Sequence, residues 1–253
     1  MQHPSRAGLT LAGIFLLASL AGCVTNTTFQ PDAFGRTKTY AVVMVVAGET
    51  VGCSEPGGNP CSGGVSGLIR MATTTNAHSE DSTAVLESTY PVALRGLRAS
   101  PNLRIVPDEW VKAHPAYRAM PADRQPSGLF QGNNRTAKGY KKFSVENLAK
   151  LARELKVDGV IIVTLSYSAL RAGMPVFGLG GKHKASTTVM VSAVDRNGRT
   201  VWFDYTSADS NDAVAAHTGG SVDFPKLRPL FGESTNKAIK KLMDNFSEKT
   251  RTR

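Results

Sequence analysis

Ser144-Val145-Glu146-Asn147-Leu148-Ala149-Lys150-Leu151-Ala152-Arg153-Glu154-Leu155-Lys156-Val157-Asp158-Gly159-Val160-Ile161-Ile162-Val163-Thr164-Leu165 is the stretch that decides the fold. Leu148, Leu151, Ala152 and Leu155 recur at helical spacing behind Ser144, a residue type that caps helix starts. Val160 to Leu165 is an unbroken apolar run rich in β-branched residues, the pattern of a strand buried on both faces. A helix that feeds such a strand through so short an Asp-Gly turn is an α/β crossover unit.

Downstream, residues 187–194 and 199–207 flank Asp195-Arg196-Asn197-Gly198, whose Asn-Gly is a hairpin signal. Residues 209–220 read as loop. A closing helix over 233–246 would bury Ala238, Ile239, Leu242, Met243 and Phe246 and expose Lys237, Lys240 and Lys241, ahead of a basic tail at 249–253. Upstream, Tyr40 to Val46 is a second buried strand, and residues 48–80 form a Gly/Ser/Thr/Asn-rich surface loop. Asp81-Ser82 offer a cap to a helix over 82–99, which Pro91 should kink or split. A short strand at 103–107 and a helical turn at 108–111 follow. The fold class is therefore α/β, a mixed β-sheet packed with three main helices in one domain over residues 39–248. No internal repeat is present.

The start of the chain reads as targeting. Arg6 precedes an apolar stretch from Gly8 to Leu20, about thirteen residues against the roughly twenty that span a bilayer, and it ends in Leu20-Ala21-Gly22-Cys23. Residues 1–22 are thus an export signal. Its last four residues resemble the lipobox of bacterial lipoproteins, and the resemblance implies cleavage before Cys23, a diacylglyceryl group on that cysteine and a further acyl chain such as palmitate on the new terminus. Two or three acyl chains anchor firmly where one does so marginally. Val24, where an aspartate would signal retention in the inner membrane, implies the outer membrane and its periplasmic face. Residues 23–38, polar and without apolar period, are expected to be a flexible tether.

The full chain of 253 residues has 30 Lys and Arg against 20 Asp and Glu, a formal charge of +10. Such an excess attracts anionic lipid, polyanions or acidic protein faces, and export argues against nucleic acid as a partner. With Cys23 lipidated, Cys53 and Cys61 remain, separated by turn formers in an oxidising compartment, which reads as a disulfide. A zinc site would need further His or Cys partners nearby.

Residues 112–144 are the most basic part of the chain, with Lys112, Arg118, Arg124, Arg135, Lys138, Lys141 and Lys142 against Asp123, interleaved with Tyr117, Phe130, Tyr140 and Phe143. Stacking and charge together can grip sugars, lipid heads or an acidic partner, so Arg135, Lys138, Tyr140, Lys141 and Lys142 are the candidate partner-binding residues. The bland alternative is a solvated loop.

Catalytic chemistry is poorly represented. His3, His78, His114, His183 and His217 are scattered and read as surface residues, with no metal expected. Gly64-Val65-Ser66-Gly67 misses the nucleophile-elbow pattern at Leu68. Gly178-Leu179-Gly180-Gly181-Lys182 misses the phosphate-loop pattern at Val176 and His183, so its glycines suit a turn or bulge. Asp195 falls in a hairpin turn, and Asp204, Asp209, Asp212 and Asp223 in polar loops. Neither an enzyme nor a cofactor is expected.

The order of elements, with Ser82-Thr83-Ala84-Val85 opening the first helix, Asp158-Gly159-Val160-Ile161-Ile162-Val163 entering a strand, and Val176-Phe177-Gly178-Leu179-Gly180 before Thr187-Thr188-Val189-Met190-Val191, resembles the curli-secretion-channel lipoproteins. It is similar also to their relatives, the lipoprotein activators of penicillin-binding proteins and the N-terminal domain of the Tol-Pal β-propeller protein. The resemblance is at the level of fold and implies a non-enzymatic envelope lipoprotein that binds or scaffolds another envelope component in assembly or export. An oligomeric secretion pore is the alternative within that resemblance, although Lys182-His183-Lys184, Asp204, Asp209, Asn211 and Asp212 interrupt the alternation that barrel hairpins need. A polyanion- or peptidoglycan-binding module, based on residues 112–144, is the other.

Overall fold

The computed structural model describes residues 27–35, 37–48, 50–54, 80–120, 145–172, 181–217 and 221–251. The chain enters through strand β1 (Thr28–Phe29) and a 3-10 turn (Pro31–Ala33), then forms β2 (Thr39–Ala47), β3 (Thr50–Ser54) and β4 (Glu80–Asp81). Helix α1 (Thr83–Arg98), β5 (Arg104–Ile105), α2 (Asp108–Ala113), α3 (Pro115–Ala119) and α4 (Val145–Glu154) follow. Then come β6 (Gly159–Ala172), β7 (Lys182–Asp195), β8 (Thr200–Asp209), β9 (Val214–Ala215), α5 (Phe224–Leu227) and α6 (Leu230–Arg251).

The crossover unit stands as the spacing predicts. Helix α4 delivers the chain into β6, which pairs in parallel with β2 from Tyr40↔Gly159 to Ala47↔Leu165. The helix ends in a Schellman motif: Val157 N–H donates to Ala152 O at 3.1 Å and Lys156 N–H to Arg153 O at 3.1 Å. Lys156 therefore takes φ 54°, a left-handed conformation usually left to glycine. Gly159 is required for a different reason, since a Cβ there would meet Tyr40 Cε1 at 2.6 Å and the Val194 carbonyl at 2.7 Å.

One mixed sheet results, in the order β1-β8-β7-β6-β2-β5, with β3 and β9 pairing alongside β6 and β7 and β4 pairing with β3. The predicted turn at Asp195–Gly198 joins β7 to β8, and Gly198 supplies the positive φ of 82°. Helices α1 and α6 cover one face over Val45, Leu165, Val191 and Trp202; α2, α3 and α4 cover Ala41, Val43, Val160 and Val194 on the other. Both faces of β2 are therefore buried, which is why its apolar run shows no alternation. Under α6 the hydroxyls of Thr187, Ser234 and Thr235 hydrogen-bond one another, so their burial leaves no donor stranded. The mixed α/β class and three long helices agree with the pattern read from the sequence.

Several expectations need correction. Pro91 does not split α1: it lies on the exposed side, while Leu86, Ala93, Leu94 and Leu97 hold the helix to the core from the other. Ser82 does not cap through its side chain but donates to the Gly48 carbonyl; Asp81 accepts from Thr83 N–H at 2.7 Å instead. Residues 115–119 are helical rather than loop, because Tyr117 is buried and donates to the Val43 carbonyl at 3.0 Å. Helix α6 runs on to Arg251, taking in Lys249 of the expected tail. Most consequential, residues 28–35 are not a free tether: β1 pairs with β8 at Thr28↔Phe203 and Phe29↔Trp202, and Phe29 and Phe34 pack on the core.

Candidate functional site

The docked entry segment builds a cleft of about 560 Å³ between residues 29–33 and the β7–β8 turn. Tyr40, Lys38, Asp158, Asp195, Arg196 and Arg199 are among the residues that line it. The sequence places these groups together because β2 and β6 start, and β7 ends, at this one end of the sheet.

Several polar groups of the cleft are bonded to its own wall. Tyr40 donates its hydroxyl to the Ala33 carbonyl at 2.6 Å, and Lys38 Nζ donates to Asp32 O at 2.5 Å. Asp158 Oδ2 accepts from Thr39 N–H at 2.8 Å. Asp195 Oδ1 accepts from the backbone N–H of Asn197 and Arg199, at 2.8 and 2.9 Å, and Oδ2 from Arg199 Nε at 2.8 Å. Partial burial opposes ionisation of Asp195, but the bonds from Arg199 and Asn197 outweigh it and hold the carboxyl below its usual range. Burial, with the charges of Asp158 and Asp195 nearby, pushes the Tyr40 phenol far above its ordinary value. The Asp195 carboxyl and the Tyr40 hydroxyl are both committed to bonds within the cleft wall.

Of the residues singled out from the sequence, Cys53 lies on β3, opposite Ala169 of β6 and packed on the larger core cluster. Cys23, Cys61, Arg135, Lys138, Tyr140, Lys141 and Lys142 lie outside the described residues, as do the signal peptide and Val176–Gly180. Within the described part of the basic segment, Lys112 is tied to Asp108 at 3.1 Å and Glu109 at 3.0 Å, so it braces α2 rather than reaching outward.

Other side chains fall elsewhere than expected. His183 is a core residue at 1% exposure, not a surface one, because it sits on the helix-covered face of β7. His114 caps α3, accepting from Ala116 N–H through Nδ1 at 3.2 Å. Asp204 belongs to β8 rather than a loop; it is 4% exposed and takes Lys249 Nζ at 2.6 Å. Asp209 ends β8, and Asp223 caps α5 by accepting from Lys226 N–H at 3.2 Å. Among the described residues no three His, Cys, Asp or Glu side chains gather as a metal site, and no helix is long and apolar enough to cross a membrane.

The entry segment and its cleft were missed in the sequence. The available signal was Phe29 and Phe34, two aromatics in a stretch otherwise polar.

No family model matches the chain, and no curated protein is similar to it. Solved structures that align with it include the hypothetical protein CT253 from Chlamydia trachomatis, at 10% identity and a TM-score of 0.37, covering 83% of this chain and 95% of that one. Lipoprotein GNA1162 from Neisseria meningitidis aligns at 11% identity and a TM-score of 0.30, covering 79% of this chain and 96% of that one.

Proposed function

We propose that this chain is a non-enzymatic lipoprotein of the bacterial envelope, lipidated on Cys23 after loss of residues 1–22, held at the periplasmic face of the outer membrane, and binding another envelope component in assembly or export. The observation that carries it is the docked entry segment. The chain between Cys23 and Thr28 reaches at most about 18 Å even when fully extended, and Thr28 is paired to Phe203 of β8. An acylated Cys23 would thus hold a folded domain directly against the bilayer, as a platform for a partner confined to that surface.

A Cys53–Cys61 bridge belongs to the same reading, supported by the disulfide-bonded state of Cys53, and it suits an oxidising compartment. The fold-level likeness to the curli-secretion-channel lipoproteins and their relatives is part of the proposal, with no cofactor or catalytic step assigned.

Replacing Cys23 by Ala tests the anchor. The wild-type chain should sediment with membranes and the variant should not; a variant that stays membrane-bound overturns the reading. Detergent extraction followed by size analysis separates a scaffold from the pore alternative, for which large rings are expected. Crosslinking in intact cells, with a lipoprotein of the same membrane as control, would identify the partner.

A further inference from the structure

Arg98 and Lys112 are neutralised by Asp108, Lys237 by Glu233 and Lys240 by Asp244, all within 3.1 Å. The cleft between residues 29–33 and the β7–β8 turn is built differently. Lys38 Nζ donates to the main-chain oxygen of Asp32, Arg196 Nε to that of Val157, and the neighbouring Arg153, through Nη1, to that of Arg196, each at 2.5 Å. None of these three cations makes an ion pair among the described residues. A neutral carbonyl fixes each in position without cancelling its charge. Arg196 keeps both of its Nη groups, and Lys38 keeps further N–H donors on its ammonium.

The acids of the lining are unequal. Asp195 is spent on Arg199 and on the backbone N–H groups of Asn197 and Arg199, and Asp32 is exposed. Asp158 accepts from Thr39 N–H through Oδ2 at 2.8 Å and meets no cation among the described residues, which leaves Oδ1 to accept from a hydroxyl. Phe29, Pro31 and Ala33 add apolar surface, and the volume of about 560 Å³ lies in the range of small-molecule sites, well above what a bare oxyanion fills.

We propose that this cleft binds a phosphorylated sugar, with Arg196 and Lys38 on the phosphoryl oxygens and Asp158 accepting from ring hydroxyls. A planar guanidinium takes two oxygens of a phosphoryl group while an ammonium takes another as a point charge. A neutral sugar would leave both cations uncompensated. Inorganic phosphate would set Asp158 against an anion with no hydroxyl to bridge them. A ligand that carries both groups satisfies all three residues. This ligand class deepens the binding role proposed above and holds with or without the anchor at Cys23.

Isothermal calorimetry on the full chain in neutral detergent tests this, with glucose 1-phosphate, glucose and inorganic phosphate as probes. Glucose 1-phosphate should bind about tenfold more tightly than either of the others. Arg196→Ala should weaken it by about tenfold, the loss expected when a charged hydrogen-bonding group is removed. Lys240→Ala, which removes the same charge from a side chain 76% exposed on α6, should leave it unchanged. Asp158→Asn should weaken glucose 1-phosphate and not inorganic phosphate, and thermal unfolding checks that this variant folds. Arg196 is exposed, so its variant keeps the test decisive if Asp158→Asn does not fold. Glucose or inorganic phosphate binding as tightly as glucose 1-phosphate overturns the proposal. So does equal weakening by Arg196→Ala and Lys240→Ala, or no binding of glucose 1-phosphate at millimolar concentration. Competition by phosphatidylinositol in mixed micelles, against phosphatidylcholine as control, names the source: displacement supports a lipid-borne polyol phosphate, and its absence with binding intact supports a free one. A chain that binds glucose 1-phosphate yet stays membrane-bound as Cys23→Ala defeats the anchor and not the cleft.

Discussion

The ring of Phe34 stands edge-on to that of Phe246, with centroids 5.1 Å apart and planes at 83°. The first belongs to the segment by which the chain enters the domain and the second to the last turns of α6, so the contact joins the two ends of the described chain. Phe34 also stacks on Tyr40 at 5.1 Å and meets Trp202 edge-on at 6.0 Å, while Phe29 lies 5.4 Å from Phe34. Edge-to-face pairs of this kind contribute beyond the area they bury.

Replacing Phe34 by Ala is therefore expected to cost about 2–4 kcal/mol, somewhat under the range for a fully buried Phe because this ring is partly exposed. Urea unfolding of the wild type and variant measures it. A free tether would instead give a change within about 0.5 kcal/mol.

Gly96 marks the closest approach of α1 to α6. A Cβ there would lie 2.0 Å from Ile239 Cγ2 and 3.2 Å from its Cβ, a β-branched group that cannot swing aside. Gly96→Ala would gain about 1 kcal/mol from helix propensity but lose about 1–3 kcal/mol to overpacking. At so short a contact the second effect wins, and the midpoint of thermal unfolding should fall. A double variant with Ile239→Val keeps the obstructing Cγ2 and should recover little of the loss, whereas Ile239→Ala removes Cγ2 and leaves only the Cβ at 3.2 Å, so it should relieve the clash at the cost of a cavity.

Asp108 gives a pH signature. Partial burial opposes its ionisation, but bonds from Arg98 at 2.5 Å and Lys112 at 3.1 Å prevail and hold its pKa down at about 2. A carboxyl whose pKa is lowered in the folded state adds stability that is fully present above its unfolded value, near 3.9, and is lost as the pH falls toward 2. The stability difference between wild type and Asp108→Asn should be constant above about pH 5 and shrink on acidification through that window. Denaturant titrations at a series of pH values check this, and a difference that grows on acidification would contradict it.

Much of the architecture was legible because it rests on local pattern. The four apolar positions of α4, the unbroken runs of β2 and β6, and Asn197-Gly198 each carry their own geometry in a few consecutive residues. Pro91 misled because proline's local penalty is real, yet the buried stripe of α1 on both sides of it holds the helix together. His183 and Asp204 misled for a related reason. A polar side chain says nothing by itself about which strand face it occupies, and strand register, not residue type, put both inside.

What the sequence determined by itself was the crossover at 145–165, the β7–β8 turn and the apolar face of α6, since each depends on contacts within a short span. Only the tertiary structure decided that residues 28–35 are bound rather than loose. Two backbone pairs to β8 and two aromatic rings suffice there because Tyr40, Trp202 and Phe246, distant in sequence, converge into one pocket. Burial of that kind is a property of the assembled surface, and no window of the chain contains it.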